Sequence, residues 1–338
     1  MKFGVGLPLE APVSVLAEIA REMETLGYAY LWGHDERLER DVYSTLSVIA
    51  NQTRRLRLGP GVTNPYSRHP ALTAVAVATL DEISDGRAVL GIGAGGTNHA
   101  VLGIRRERPA TAIREAIRVI RTLLAGGEIT LEGRVVRVYH GRLDFQPVRR
   151  SVPIYIGARG PRNLELAGEV ADGVIVGNVS TVEGWRYAME CVTAGIRRAG
   201  RRLEDLECVA WLYTSIADDG IAALDAIRPM VATSLVTSRP ILDRLGVTMP
   251  ARFADVMSAQ GWSLSRTSVL RAAGEVPDDV ARRFGLAGTS AECAGQLQDL
   301  LRAFPQISQV VIVPFAPLGH GPREVIRRFI TEVVSRVA

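Results

Sequence analysis

The feature that most restricts the fold is an alternation, repeated eight times along 338 residues, of a short apolar segment with a longer one of helical periodicity. The apolar runs read as strands at 2–7, 29–33, 56–59, 88–92, 154–156, 174–176, 208–213 and 310–313. Helical patterns follow them at 13–26, 43–53, 71–84, 110–125, 161–170, 182–199, 291–304 and 322–337. Runs such as Val174-Ile-Val176 and Val310-Val-Ile-Val313 are apolar at consecutive positions, as parallel strands are when both faces are covered. Eight such units favour an α/β chain closed as a (β/α)8 TIM barrel over an open doubly wound sheet, because closure removes both edges. One barrel domain over 1–338 is expected, since no Pro/Gly-rich linker or repeat interrupts the rhythm. Two segments depart from it. Residues 128–139, with Gly133 between β-rich flanks, read as an inserted hairpin. Residues 217–286 read as a mostly helical insertion between the seventh strand and its helix, placed to roof the barrel mouth.

Composition narrows the chemistry. Forty Lys+Arg face 36 Asp+Glu, a net +4 spread along the chain without a basic run, so a nucleic-acid partner is not expected. Lys2 is the only lysine, which excludes a Schiff-base or P-loop lysine inside the fold. Cys191, Cys208 and Cys293 are widely spaced and show no zinc pattern, so buried thiols and no metal site are expected. The first residues pass directly into strand pattern, and the longest uncharged stretches, 88–104 and 306–322, are broken by Gly, Pro, Asn or His. The expected setting is the cytoplasm, away from membranes.

Three glycine-bearing strand ends carry the motifs. Gly91-Ile-Gly-Ala-Gly-Gly96 satisfies G-x-G-x-x-G, yet three strand-helix units precede it, so a cofactor wall in a barrel or plain turn chemistry compete with a dinucleotide fingerprint. Such glycines let backbone approach a planar ligand or a neighbouring loop. Leu58-Gly-Pro-Gly-Val-Thr-Asn-Pro65 cannot stay a regular strand and should bulge into the mouth. Ile156-Gly-Ala-Arg-Gly-Pro-Arg162 runs into a helix with Pro161 in its first turn; its free amides and arginines suit a phosphate, and a tight connection is the plain alternative. Glu10, Asp35 and Glu36, and also His34, His69 and His99, fall near strand ends where they could serve as acids or bases, or as caps and surface ion pairs.

Together, Leu31-Trp-Gly-His-Asp35, the segment 58–70 ending Tyr66-Ser-Arg-His-Pro70, the run 78–95 and Pro153-Ile-Tyr-Ile-Gly-Ala158 followed by 164–173 resemble the luciferase-like flavin and deazaflavin oxidoreductases. Within them the chain is most similar to the coenzyme F420-dependent methylenetetrahydromethanopterin reductases. The resemblance implies a non-prolyl cis peptide at Gly61-Val62 under a flavin-type ring, with Thr63, Asn64, Gly93 and Gly95 beside it. It also implies a phosphate loop of Gly157, Ala158, Arg159 and Gly160 extended by Gly177 and Asn178, and acid/base or orienting roles for Asp35, Glu10 and Glu36, with His99 a further candidate. Gly6 and Gly96 stand where the reductases carry acids, and Glu36 where alcohol- and sugar-oxidising relatives carry a histidine. Coenzyme F420, whose phosphate and glutamyl tail are anionic, suits an arginine-rich chain; FMN is the alternative cofactor. The implied activity is hydride transfer between F420 and a small organic substrate, in a homodimer. An FMN-dependent monooxygenase or reductase, or a flavin-binding barrel without catalysis, are the other readings.

Overall fold

The computed structural model describes residues 1–36, 38–96 and 98–337. Strands are β1 (Lys2–Leu7), β2 (Tyr30–Gly33), β3 (Arg57–Pro60), β4 (Leu90–Gly93), β5 (Ile129–Glu132), β6 (Arg137–Gly141), β7 (Ile154–Ala158), β8 (Gly173–Gly177), β9 (Glu207–Ile216), β10 (Gly285–Gly288) and β11 (Ile307–Pro314). Without the β5–β6 hairpin and β10, the order is the eightfold βα repeat expected. The chain divides into two compact units. The first holds residues 2–175 and 191–208; the second holds residue 1, 176–190 and 209–338. The segment 128–139 lies inside the first and 217–286 inside the second.

In the first unit β1, β2 and β3 pair in parallel, with Gly4 opposite Tyr30 and Leu31 opposite Leu58. β4 pairs in parallel with β7, Leu90 opposite Ile154 and Gly93 opposite Gly157. Between β3 and β4 the ladder is broken, leaving bridges at Leu58–Ala88 and Thr63–Ile92. That break offsets both strands from the runs read at 56–59 and 88–92. The helices pack by one face. Pro109–Leu124 buries Ala112, Ile113, Ala116, Ile117, Ile120, Leu123 and Leu124, a spacing of three and four that lines one side of an α-helix. Burial of each larger aliphatic side chain stabilises by about 1.5–3 kcal/mol relative to exposure. Glu115 on the same helix accepts from the Arg134, Val135 and Val136 amides at 2.8, 3.0 and 2.9 Å, closing the antiparallel β5–β6 hairpin onto it. Burial works against that carboxylate's charge, but the three amides outweigh it and its pKa is lowered.

In the second unit β9 neighbours β11 and pairs in parallel with β10, Gly285 opposite Tyr213. β10 was not expected: Gly-Leu-Ala-Gly has no β-branched residue, and its place is set by the register of β9. β9 also runs three residues beyond the stretch read at 208–213, because Thr214 and Ser215 are polar yet fully buried. Among the described residues one helix, Gly220–Thr237, is long and apolar enough to cross a membrane by length and composition. It contains Pro229, and Arg228 on it donates to Asp225 at 2.7 Å.

Candidate functional site

The C-terminal ends of β2, β3 and β4 build the site. After Pro60 the chain leaves β2 and joins β4: the Gly61 N–H donates to the Gly33 carbonyl (2.7 Å), the Thr63 N–H to the Gly91 carbonyl (3.0 Å), and the Gly93 N–H returns to Thr63 (2.8 Å). Val62 lies between these two attachments, and the Gly61–Val62 peptide bond is cis. Its half-exposed side chain rests on a floor of glycines. A Cβ on Gly91, Gly93 or Gly157 would stand 2.9, 2.8 or 3.1 Å from a Val62 methyl. Of the two meanings open for the glycine motif, the neighbouring bulge is therefore what approaches Gly91 and Gly93 directly; a planar ligand would meet them only through Val62.

Gly95 and Asn64 also have local work. Gly95 has φ +73°, and the His99 ring occupies the place its Cβ would take, 2.1 Å from Nε2. His99 is buried, with Nε2 3.1 Å from the Ala94 carbonyl and its ring edge-on to Tyr66 at 5.3 Å. That nitrogen is engaged in holding the turn, while Nδ1 is buried with no hydrogen-bond partner among the described residues. Asn64 Oδ1 accepts from the Tyr66 and Ser67 amides (3.0 and 2.9 Å) while Nδ2 donates to Ser67 Oγ (2.8 Å). Its side chain shapes the turn that follows the bulge.

Asp35 follows β2 and is half-buried. Burial raises its pKa; the Thr63 hydroxyl and Arg68 pull it back, and Asp41 and Glu36 push it further up. Arg68 is fixed over the Tyr43 ring, 4.9 Å to its centroid, by an ion pair with Asp41 at 2.7 Å. The Tyr43 hydroxyl is buried with no hydrogen-bond partner among the described residues, and burial, then Asp35, raises its pKa. Tyr43 and Arg68 were not foreseen as site residues. Arg68 stood in the Ser-Arg-His-Pro segment, but Tyr43 gave only the signal of a helix residue. His69 of that segment is a cap: its Nδ1 accepts from the Ala71 amide (3.2 Å) at the start of the helix Pro70–Ile83.

Glu10 and Glu36 are exposed and converge on His34. Burial lowers the His34 pKa, against the opposing pull of Glu36 and Glu10. Glu36 Oε1 would lie 3.7 Å from a Cβ on Gly96, an ordinary van der Waals contact, so its carboxylate stands beside that glycine. Farther along, the half-exposed loop Gly157, Ala158, Arg159 and Gly160 opens the helix Pro161–Val170, whose N-cap Gly160 has no side-chain cap and open space around it. Its first-turn amides are thus available to an anion.

Gly177 and Asn178 belong to the second unit. Asn178 has φ 55°; its amide N–H donates to the Trp211 carbonyl (2.7 Å) and its Nδ2 to Tyr213 Oη (2.8 Å), which lies 3.2 Å from Ser234 Oγ. Nδ2 carries two N–H donors, of which Tyr213 takes one, and Oδ1 is buried with no hydrogen-bond partner among the described residues.

A parallel βα-repeat chain with a carboxylic acid, a bulged strand and an open helix start at its strand ends has the make-up of a (β/α)8-barrel enzyme. The chain belongs to the luciferase-like monooxygenase family, whose model matches residues 1–305. It is 35% identical to the 5,10-methylenetetrahydromethanopterin reductase of Methanolobus tindarius, over 99% of this chain and 100% of that protein. It is 32% identical to the F420-dependent glucose-6-phosphate dehydrogenase of Nakamurella multipartita, over 66% of this chain and 69% of the relative. Among solved structures, the coenzyme F420-dependent tetrahydromethanopterin reductase of Methanopyrus kandleri superimposes with a TM-score of 0.87 at 30% identity, over 100% of this chain and 99% of that one. The fold is accordingly the luciferase-like (β/α)8 barrel.

Proposed function

We propose that the protein is a coenzyme F420-dependent oxidoreductase that moves a hydride between the deazaflavin and a small organic substrate. Full-length likeness to a reductase named for F420 carries this reading. The residues present fit such a cofactor: Val62 offers a half-exposed apolar seat on its glycine floor, and the uncapped helix start at Gly160 offers amides to a phosphate. When bound, the deazaflavin supplies a ring carbon that gives or takes hydride in a two-electron step.

The chain's own residues do the rest. Gly61, Val62 and Thr63 support the ring, with Asn64, Gly93 and Gly95 holding the bulge and the β4 turn in place. Gly157, Ala158, Arg159 and Gly160 receive the phosphate. Asp35, with its raised pKa, holds or releases a proton at a carboxyl oxygen, so that a proton can move when hydride does. Glu10 and Glu36 orient donor groups of the substrate, and Glu36 provides beside Gly96 the carboxylate which that position lacks. The relatives' methylenetetrahydromethanopterin is the first substrate to try. A cytoplasmic homodimer without nucleic-acid or membrane partners completes the reading; exposed Leu72 and Val75 on the helix Pro70–Ile83 suit a second copy.

Side-by-side spectral titration with F420 and FMN tests the proposal. F420 should bind at least tenfold more tightly and be turned over with methylenetetrahydromethanopterin or another member of a reduced-pterin and alcohol panel. Tighter FMN binding with oxygen consumption would replace it by a flavin monooxygenase, and binding without turnover across the panel by a ligand-holding barrel.

A further inference from the structure

The helix Val42–Gln52 starts against the end of β2 and is tied to the loop that follows the cis peptide. A Cβ on Gly33, the last residue of β2, would stand 3.3 Å from the Val42 and Leu46 side chains of that helix. Asp41 caps the helix, its Oδ1 accepting from the Ser44 amide at 2.8 Å. Arg68 Nη2 donates to its other oxygen, Oδ2, at 2.7 Å, and the guanidinium lies over the Tyr43 ring, 4.9 Å from the centroid. One carboxylate thus both caps a helix and fixes a cation that the loop delivers to the helix start.

Asp35 follows Gly33 by two residues and meets both elements. The groups that face it are Thr63 and Arg68 from the loop, Asp41 and Tyr43 from the helix start, and Glu36 from its own segment. Burial and the two acids favour its protonated form; the cation set against them is Arg68. A carboxyl that never ionises cannot accept a proton, so a counter-charge there has a chemical use. Stability alone does not account for the clamp. The Arg68–Asp41 pair is partly exposed, and such pairs contribute little. Tyr43, beneath the guanidinium, keeps a buried hydroxyl with no hydrogen-bond partner among the described residues, which costs stability.

We propose that Arg68 is a positioning residue for the reaction: clamped between the Tyr43 ring and Asp41, its guanidinium is the fixed counter-charge that sets the pH at which Asp35 exchanges its proton. The inference rests on Asp35 as the proton carrier and adds the device that keeps its carboxyl able to ionise.

The test needs no cofactor. Thermal midpoints of the full-length protein are measured from about pH 3 to about pH 9 for wild type, Arg68→Met and Asp41→Asn, each with and without Asp35→Asn, so that effects of the clamp on packing cancel within each pair. Methionine keeps an apolar stem over Tyr43, and asparagine keeps the helix cap. Within each pair the advantage of Asp35→Asn should open as pH rises and level off above the folded pKa of Asp35. Relative to wild type, levelling should come about one pH unit higher in Arg68→Met, a tenfold tighter hold on the proton, and about half a unit lower in Asp41→Asn. The Asp35 limb of the kcat profile, with F420 and substrate, should move in the same two directions. Shifts of one sign in both variants, no shift in either, or a kinetic limb that stays in place overturn the role of Arg68 and leave the cofactor and Asp35 as they stand. If wild type and Asp35→Asn melt in parallel at every pH, Asp35 falls as the proton carrier and Arg68 with it.

Discussion

Two parts of the first unit are proposed to face one cofactor, and they reach that competence by opposite routes. At the ends of β2, β3 and β4 the useful properties belong to no residue alone. Asp35 has a raised pKa because of what surrounds it, and Val62 is a seat because Gly91, Gly93 and Gly157 on two other strands leave room beneath it. At Gly160 the property is local: a glycine N-cap before Pro161 leaves amides uncapped whatever else is nearby. The first region is thus expensive to alter and the second cheap. Changes in the first should disturb chemistry or fold, and changes in the second should affect binding while sparing the fold.

The sharpest separation is expected for Asp35→Asn. Loss of an acid/base group lowers turnover roughly a hundredfold to ten-thousandfold. Its effect on stability should run the other way. Because the folded pKa of Asp35 lies above its ordinary value, the folded state holds the proton more tightly than the unfolded chain. The stabilisation is complete below the ordinary carboxylate pKa and is lost as pH rises through the raised value. The asparagine variant should therefore melt no lower than wild type at pH 7 and gain least near pH 3. Thermal melts at both pH values, alongside initial rates, measure the two effects; parallel losses of activity and stability would return Asp35 to a structural role.

Next in size, Gly91→Ala places a Cβ 2.4 Å from the Pro60 carbonyl and 2.9 Å from Val62, where backbone cannot move away cheaply. Urea unfolding should register a loss of about 1–3 kcal/mol, with cofactor binding weakened because the Val62 seat shifts. An unchanged midpoint would show that the floor is looser than its geometry indicates.

The smallest change probes the other region. Gly160→Asp supplies the missing cap to the helix Pro161–Val170, at a site with extended backbone and open space. Stability should rise by up to about 1 kcal/mol. The new carboxylate also competes with a phosphate for the same amides, so F420 affinity should fall about tenfold or more. A rise in stability with unaltered affinity would place the phosphate elsewhere.

The same contrast explains what could be read in advance. Helices with one apolar face, such as Pro109–Leu124, and strands apolar throughout, such as β8, announce themselves because their burial is periodic along the chain. The irregular join of β3 and β4 was foreseeable from Gly-Pro-Gly, as was the open helix start from Gly160-Pro161. β10 escaped notice because nothing in Gly-Leu-Ala-Gly favours a strand. Tyr43 and Arg68 escaped because they lie 8 and 33 residues from Asp35, and only folding makes them its neighbours. A polar side chain near a strand end can point to a ligand or to its own turn, and Asn64 and His99 both make bonds within the turn.

By itself the sequence determined the βα order, the glycine-marked strand ends and the local caps, since these depend on backbone preferences and on periodicities a few residues long. Only the tertiary structure decided which strands' glycines would receive Val62, which carboxyl would be pushed toward neutrality and which arginines would meet a carboxylate. Those outcomes are set by burial and by Coulomb forces between groups far apart in the chain, and neither is encoded in any short stretch of it.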